Sequence, residues 1–295
     1  MEIEARVDDA WRIYETETTR YTPVGEILPA LLAEAHLTLH RSPEQEEARA
    51  IRALVSLYHL HQVFSRRVGE RSLSRTAADR AFTMADEAGD PVLIAASAWN
   101  LCGILTNSGD VVDSLELARS TIDACRPGDE AGRDHLSAYG PLHLAGVIAA
   151  VRAGYAPTAW DLLREAERIA SRMGLDGNDW HTSFGPCNVA MHGVHLAAEE
   201  GDPAEALRLA DSVDVNSSLP LERRTRYMLE VMNSNRMVRD DYGTLFMLQQ
   251  IRQHSPEEIQ FFPLARAAVS DLLKRERPAY RRALRDLATH VGVLN

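Results

Sequence analysis

Four times along the chain a glycine is followed, five residues on, by a small side chain: Gly69 and Ser74, Gly109 and Ser114, Gly154 and Ala159, Gly201 and Ala206. A glycine takes the left-handed conformation that ends a helix, and a small residue in the next helix lets the two pack closely. The motif therefore predicts antiparallel helix pairs joined by tight turns. The flanking segments carry the matching periodicity: Leu28, Leu31, Leu32 and Ala35, then Leu54, Leu57, Tyr58 and His61, then Ala206, Leu209, Ala210 and Val213. No alternating β-branched run interrupts them. The 295 residues are expected to form one all-α domain, 1–295, of roughly 12 to 14 helices.

The turns resemble the tetratricopeptide pattern G-D-x-x-E-A, matched best by Gly201-Asp202-Pro203-Ala204-Glu205-Ala206. The glycines lie 40, 45 and 47 residues apart, longer than the standard repeat of 34 residues, so the helices or the loops between pairs must be extended. The expected architecture is a superhelical array of antiparallel helix pairs, a tetratricopeptide-like solenoid, with a further turn near Asp240-Asp241. Such an array has a concave face lined by the first helix of each pair, and ligands bind there. Counting back from each turn places Ser56, His59, Arg66, Trp99, Thr106, Asn188, Met191, His195, Tyr227 and Glu230 on that face. For any one of them, a solvated or core position is the commoner role.

Six stretches resemble a known family more specifically. Ala10-Trp11-Arg12, Thr19 to Gly25 and Leu28 to Leu32, with Asp90 to Leu93, Ser137 to Gly140 and Trp180 to His192, are similar to landmarks of the tetratricopeptide-like C-terminal domain of actinobacterial helix-turn-helix regulators of the xenobiotic-response-element type. The resemblance runs over essentially the whole chain. It implies a domain that senses a signal or mediates oligomerisation while a separate module reads DNA. Met1 to Val7 lead straight into the Trp11 segment, so the expectation here is the sensing domain without that module.

Charge agrees with this expectation. The chain carries 32 Lys and Arg against 43 Asp and Glu, a formal charge of −11, which on average repels a nucleic acid. Lys274 is the one lysine, so Schiff-base chemistry has a single candidate. Cys102, Cys125 and Cys187 make an odd count without paired spacing, as in reduced cytoplasmic proteins. No 18-residue apolar run suits a membrane.

Chemistry, if any, is expected between residues 179 and 195, where Asp179, His181, Cys187, His192 and His195 cluster. The alternative reading is a free-standing helical enzyme or metal protein centred on this cluster, with Cys187, His192 and His195 as zinc ligands, although their spacing is loose for such a site and no metal or cofactor is expected. Nucleotide, zinc-protease and serine-hydrolase motifs are missing. Trp180 and Phe184 either pack their loop or close it over a ligand. From Lys274 to Arg285, six cations against Glu276 read as the solvated face of a terminal helix whose Leu272, Leu273, Leu284 and Leu287 cap the array. The chain is thus expected to be a non-enzymatic cytoplasmic domain that takes a small effector or short peptide on its concave face. It is expected to hold no nucleic acid or membrane, and its apolar terminal helices allow a homodimer.

Overall fold

The computed structural model describes residues 2–214 and 219–294. Its described residues form fifteen α-helices and one short 3-10 turn, with no strand, and none of the helices is long and apolar enough to cross a membrane. An N-terminal pair, α1 (Glu2–Thr16) and α2 (Tyr21–Arg41), precedes five further pairs: α3 (Glu44–Arg67) with α4 (Arg71–Ala88), α5 (Pro91–Ser108) with α6 (Val111–Ala124), α7 (Arg133–Arg152) with α8 (Ala156–Met173), α9 (Pro186–Glu199) with α10 (Pro203–Ala210), and α11 (Leu221–Met237) with α12 (Asp241–His254). The chain ends in α13 (Pro256–Phe261), α14 (Pro263–Lys274) and α15 (Arg281–His290). The helix count exceeds the expected 12 to 14 because Pro256 and Pro263 each stop one helix and open the next within a residue or two.

All five pairs turn in the same way. Gly69, Gly109, Gly154 and Gly201 adopt φ of +92°, +95°, +81° and +84°. In each case the following residue donates its N–H across the turn to the carbonyl five residues back, as Glu70 does to Ser65 (2.8 Å) and Tyr155 to Ala150 (2.8 Å). The fifth turn uses Arg239 at φ +60°, and Asp240 completes the same bond to Asn235 (2.9 Å). Glycine is therefore absent from one turn whose geometry calls for it. Five residues on, Ser74, Ser114, Ala159, Ala206 and Thr244 are all buried. Ser74 and Ser114 also donate to the carbonyls of Gln62 and Cys102, twelve residues back in the paired helix.

Each helix of a pair packs on its partner, and the first helices pack on one another: α3 on α5, α5 on α7, α7 on α9, α9 on α11. The two ends of the chain also meet. Helix α1 touches α11, and the α1–α2 corner is bound to α13 by a buried ionic cluster. Glu258 accepts from Arg20 (2.8 Å) and from the Tyr21 hydroxyl, and its other oxygen lies 3.3 Å from Arg67. At the terminus, Leu272, Leu284 and Leu287 are fully buried with Leu273 packed beside them, while Arg281 and Arg285 flank Glu276 on the outer side.

Candidate functional site

The first helices end together, and their last turns enclose a cavity of about 940 Å³. Residues just before each turn line it: Arg66 and Arg67 of α3, Asn107 and Ser108 of α5, Arg152 of α7, Ala198 and Glu199 of α9, and Met237 of α11. The remaining wall comes from α11 through Arg226, Leu229, Glu230 and Asn233, and from the α13–α14 corner through Phe261, Phe262 and Leu264.

The segment linking α8 to α9 packs against α1, α3 and α7. Trp180, His181 and Ser183 all have positive φ (+56°, +57° and +52°), a conformation costing roughly 1–2 kcal/mol for each L residue. Side-chain bonds hold it there. Asn178 accepts from both the N–H and the hydroxyl of Ser183 (3.1 Å each), and the Thr182 hydroxyl donates to the Ser137 carbonyl (2.9 Å). His181 stacks on Trp11 with centroids 3.8 Å apart and planes 6° apart, and its Nδ1 lies 2.9 Å from Glu15. Trp180 donates to Asp134 and lies under the guanidinium of Arg52.

The expected concave-face residues divide between the cavity and the packed interior. Arg66, His195 and Glu230 line the large cavity. Trp99 and Trp180 line a separate chamber of about 30 Å³, room for one water, which shares Arg66 and Arg226 with the large cavity. His59 is buried in the interior and bonded to Ser97 of α5 at 2.9 Å. Phe184 is a core residue, fully buried against Gly140, where even a methyl group would collide with its ring. Met191 and Tyr227 are likewise buried in the packing between α9 and α11. Asn188 is buried too, accepting from Arg223. The first helices of neighbouring pairs pack on one another, so a residue in the right register can be buried between helices instead of facing the cavity.

The proposed zinc ligands do not converge. Cys187 donates to the Asp214 carbonyl (3.4 Å), His192 Nδ1 contacts the Asn188 carbonyl (2.9 Å), and His195 binds carboxylates. Among the described residues, no three His, Cys, Asp or Glu side chains are placed to share a metal ion.

Charge in the large cavity opposes that of the whole chain. Six arginines line it against two glutamates. Both glutamates have cationic partners: Glu199 accepts from Arg152 (3.1 Å) and His195 (3.1 Å), and Glu230 Oε1 lies 3.4 Å from His195 and 3.9 Å from Arg223, while its Oε2 has no hydrogen-bond partner among the described residues. Burial works against the charge of His195, but its bonds to Glu199 and Glu230 outweigh that and lift its pKa to about 9. Burial likewise disfavours both carboxylates, yet His195 and Arg152 bring Glu199 down to about 2, and Arg223 and His195 do the same for Glu230.

Sequence reasoning missed Arg67, Arg152, Glu199 and Arg226. The signal that would have found most of them is their place in the last turn before each pair's turn residue. No protein-family model matches the chain, and a comparison with curated proteins finds no match.

Proposed function

We propose that this protein is a non-enzymatic signal-sensing or interaction domain of the transcriptional-regulator type, built as a tetratricopeptide-like superhelical array, which binds a small effector or short peptide in the cavity between its helix ends. The observation that carries the reading is the cavity itself: at about 940 Å³ it falls within the range of small-molecule sites. Its wall mixes apolar surface from Leu229, Phe262 and Leu264 with a few convergent polar groups, the usual composition of such sites. The regulator type rests on the sequence resemblance.

The polar groups suit binding better than catalysis. His195 is held protonated between two carboxylates and is a poor base, while the Ser74 and Ser108 hydroxyls are committed to the carbonyls of Gln62 and Ile104. A ligand in this place touches α3, α11 and the α13–α14 corner at once, segments far apart in sequence. Preferring one spacing of these segments over another, it shifts the protein between two arrangements, which is what a sensor requires.

The test is to expose the protein to small-molecule and peptide extracts, remove unbound material, and identify what is released on denaturation by mass spectrometry. A defined molecule retained by the native chain and lost in Asn233→Trp, which puts a large ring into the cavity, supports the reading. Retention unchanged by that substitution, or no retained molecule at all, refutes it.

A further inference from the structure

We infer that the Arg66–Arg226 side of the cavity is an oxyanion subsite, for a carboxylate or phosphate carried by a small molecule whose apolar remainder lies toward Phe262 and Leu264. This rests on the reading of the cavity as a ligand site and names the chemistry of its ligand.

The argument begins with a charge count around one buried cluster. Arg20, Arg67 and Arg226 share two carboxylates, Glu222 and Glu258: Arg67 lies 3.1 Å from Glu222 and 3.3 Å from Glu258, Arg20 lies 2.8 Å from Glu258, and Arg226 reaches Glu222 only at 3.9 Å. Arg66 stands beside them as a fourth cation. Among the described residues its guanidinium has no ion pair, and its buried Nε has no hydrogen-bond acceptor. Nearby carboxylates are already engaged. Glu257 accepts from the Tyr21 N–H (2.7 Å) and Thr22 (3.2 Å), and Glu15 binds Asn178 (2.8 Å) and His181 (2.9 Å).

Burial first, and then the fields of Arg226 and Arg67, lower the Arg66 pKa to about 10, so its surroundings disfavour the charge that it carries. A buried guanidinium nitrogen without an acceptor is costly to keep, and Glu222, whose field favours the Arg66 charge, is already paired with Arg67 and Arg226. The negative end of helix α3 accounts for arginines in its last turn. It does not account for burying a guanidinium nitrogen away from any acceptor. Arg66 and Arg226 both border the cavity, so an anion entering it meets two guanidiniums, whose flat forks match carboxylate and phosphate oxygens. Phe262, over whose ring the Arg67 guanidinium lies, and Leu264 offer apolar surface in the same cavity.

Calorimetric titration of the full chain with octyl phosphate, octanoate, octanol and inorganic phosphate tests this. The expected result is one site per chain for at least one of the two octyl anions, with affinity about tenfold or more above octanol. Arg66→Gln and Arg226→Gln should each weaken it by about tenfold, the scale of a lost charge-assisted bond, with the helical circular-dichroism spectrum unchanged. The stronger of the two anions identifies phosphate or carboxylate as the natural group. Arg226→Gln, on the more open wall, keeps the test decisive should Arg66→Gln fail to fold. Octanol binding as tightly as both anions, or anion affinity unchanged by these variants, overturns the subsite and leaves the cavity reading standing. If neither octanol nor the anions bind, both fall.

Discussion

Arg20 and Glu258, 238 residues apart in the chain, form a buried ion pair with a 2.8 Å contact. The pair joins the α1–α2 corner to α13, and so ties the N-terminal helices to the C-terminal ones. Breaking a buried pair by removing one partner leaves a charge without solvent or counter-ion. Glu258→Ala is therefore expected to cost about 3–5 kcal/mol in urea unfolding, and Arg20→Met with Glu258→Leu to recover most of it. Equal loss in the single and double variants would show that the pair is not the source of the effect.

Stability is expected to peak near the ordinary histidine pKa. His195, raised from 6.5 to about 9, contributes stability that is complete below pH 6.5 and is lost as the pH rises through about 9. His59, His143 and His192 are held neutral by burial, at about 3, 4 and 3, so their contribution is present above 6.5 and is lost as the pH falls. Glu199 and Glu230, lowered from 4.5 to about 2, add to the acid limb below 4.5. Urea midpoints measured across this range should fall on both sides of the maximum, and His195→Gln should flatten the alkaline side up to pH 9. A wild-type midpoint constant from 6.5 to 9 would contradict a charged His195.

Phe184 occupies the space left by the missing side chain of Gly140 in the middle of α7. Gly140→Ala forces that ring to move, which is expected to cost about 1–3 kcal/mol. Phe184→Ala, which empties a fully buried site, should cost about 3–5 kcal/mol. Adding Phe184→Leu to Gly140→Ala should relieve part of the collision, a non-additivity readable by thermal unfolding.

The fifth pair turn places Arg239 at φ +60°, where the other four have glycine. Arg239→Gly should raise stability by about 0.5 kcal/mol, because relief of the left-handed strain exceeds the added freedom of the unfolded chain. Gly201→Ala, the reverse change at an equivalent turn, should lower it by about 1 kcal/mol. Opposite signs at the two turns are the outcome to look for.

The helical class and the positions of the pair turns were legible because they depend on local chemistry. A left-handed glycine, a small residue five positions later and a 3.6-residue apolar period act within one or two helix turns, so the chain carries them openly at 69, 109, 154 and 201. The fifth turn was less plain because an arginine stands where the glycine would be.

The concave-face set was only partly legible. Arg66, His195 and Glu230 reach the cavity, whereas His59, Met191 and Tyr227 share their helices but not their surroundings. His59 is buried where α3 meets α5, and Met191 and Tyr227 where α9 meets α11, while the segment around Trp180 adds a longer-range contact by stacking His181 on Trp11. Contacts of that kind join residues about 170 positions apart, and no local pattern encodes them. The overall charge shows the same division. Composition alone gives −11 and a mean repulsion of anions, but only the tertiary structure decides which charges meet, and it gathers Arg20, Arg66, Arg67 and Arg226 around two carboxylates. Electrostatic potential depends on distances in space, so an acidic chain can fold around a positive cavity.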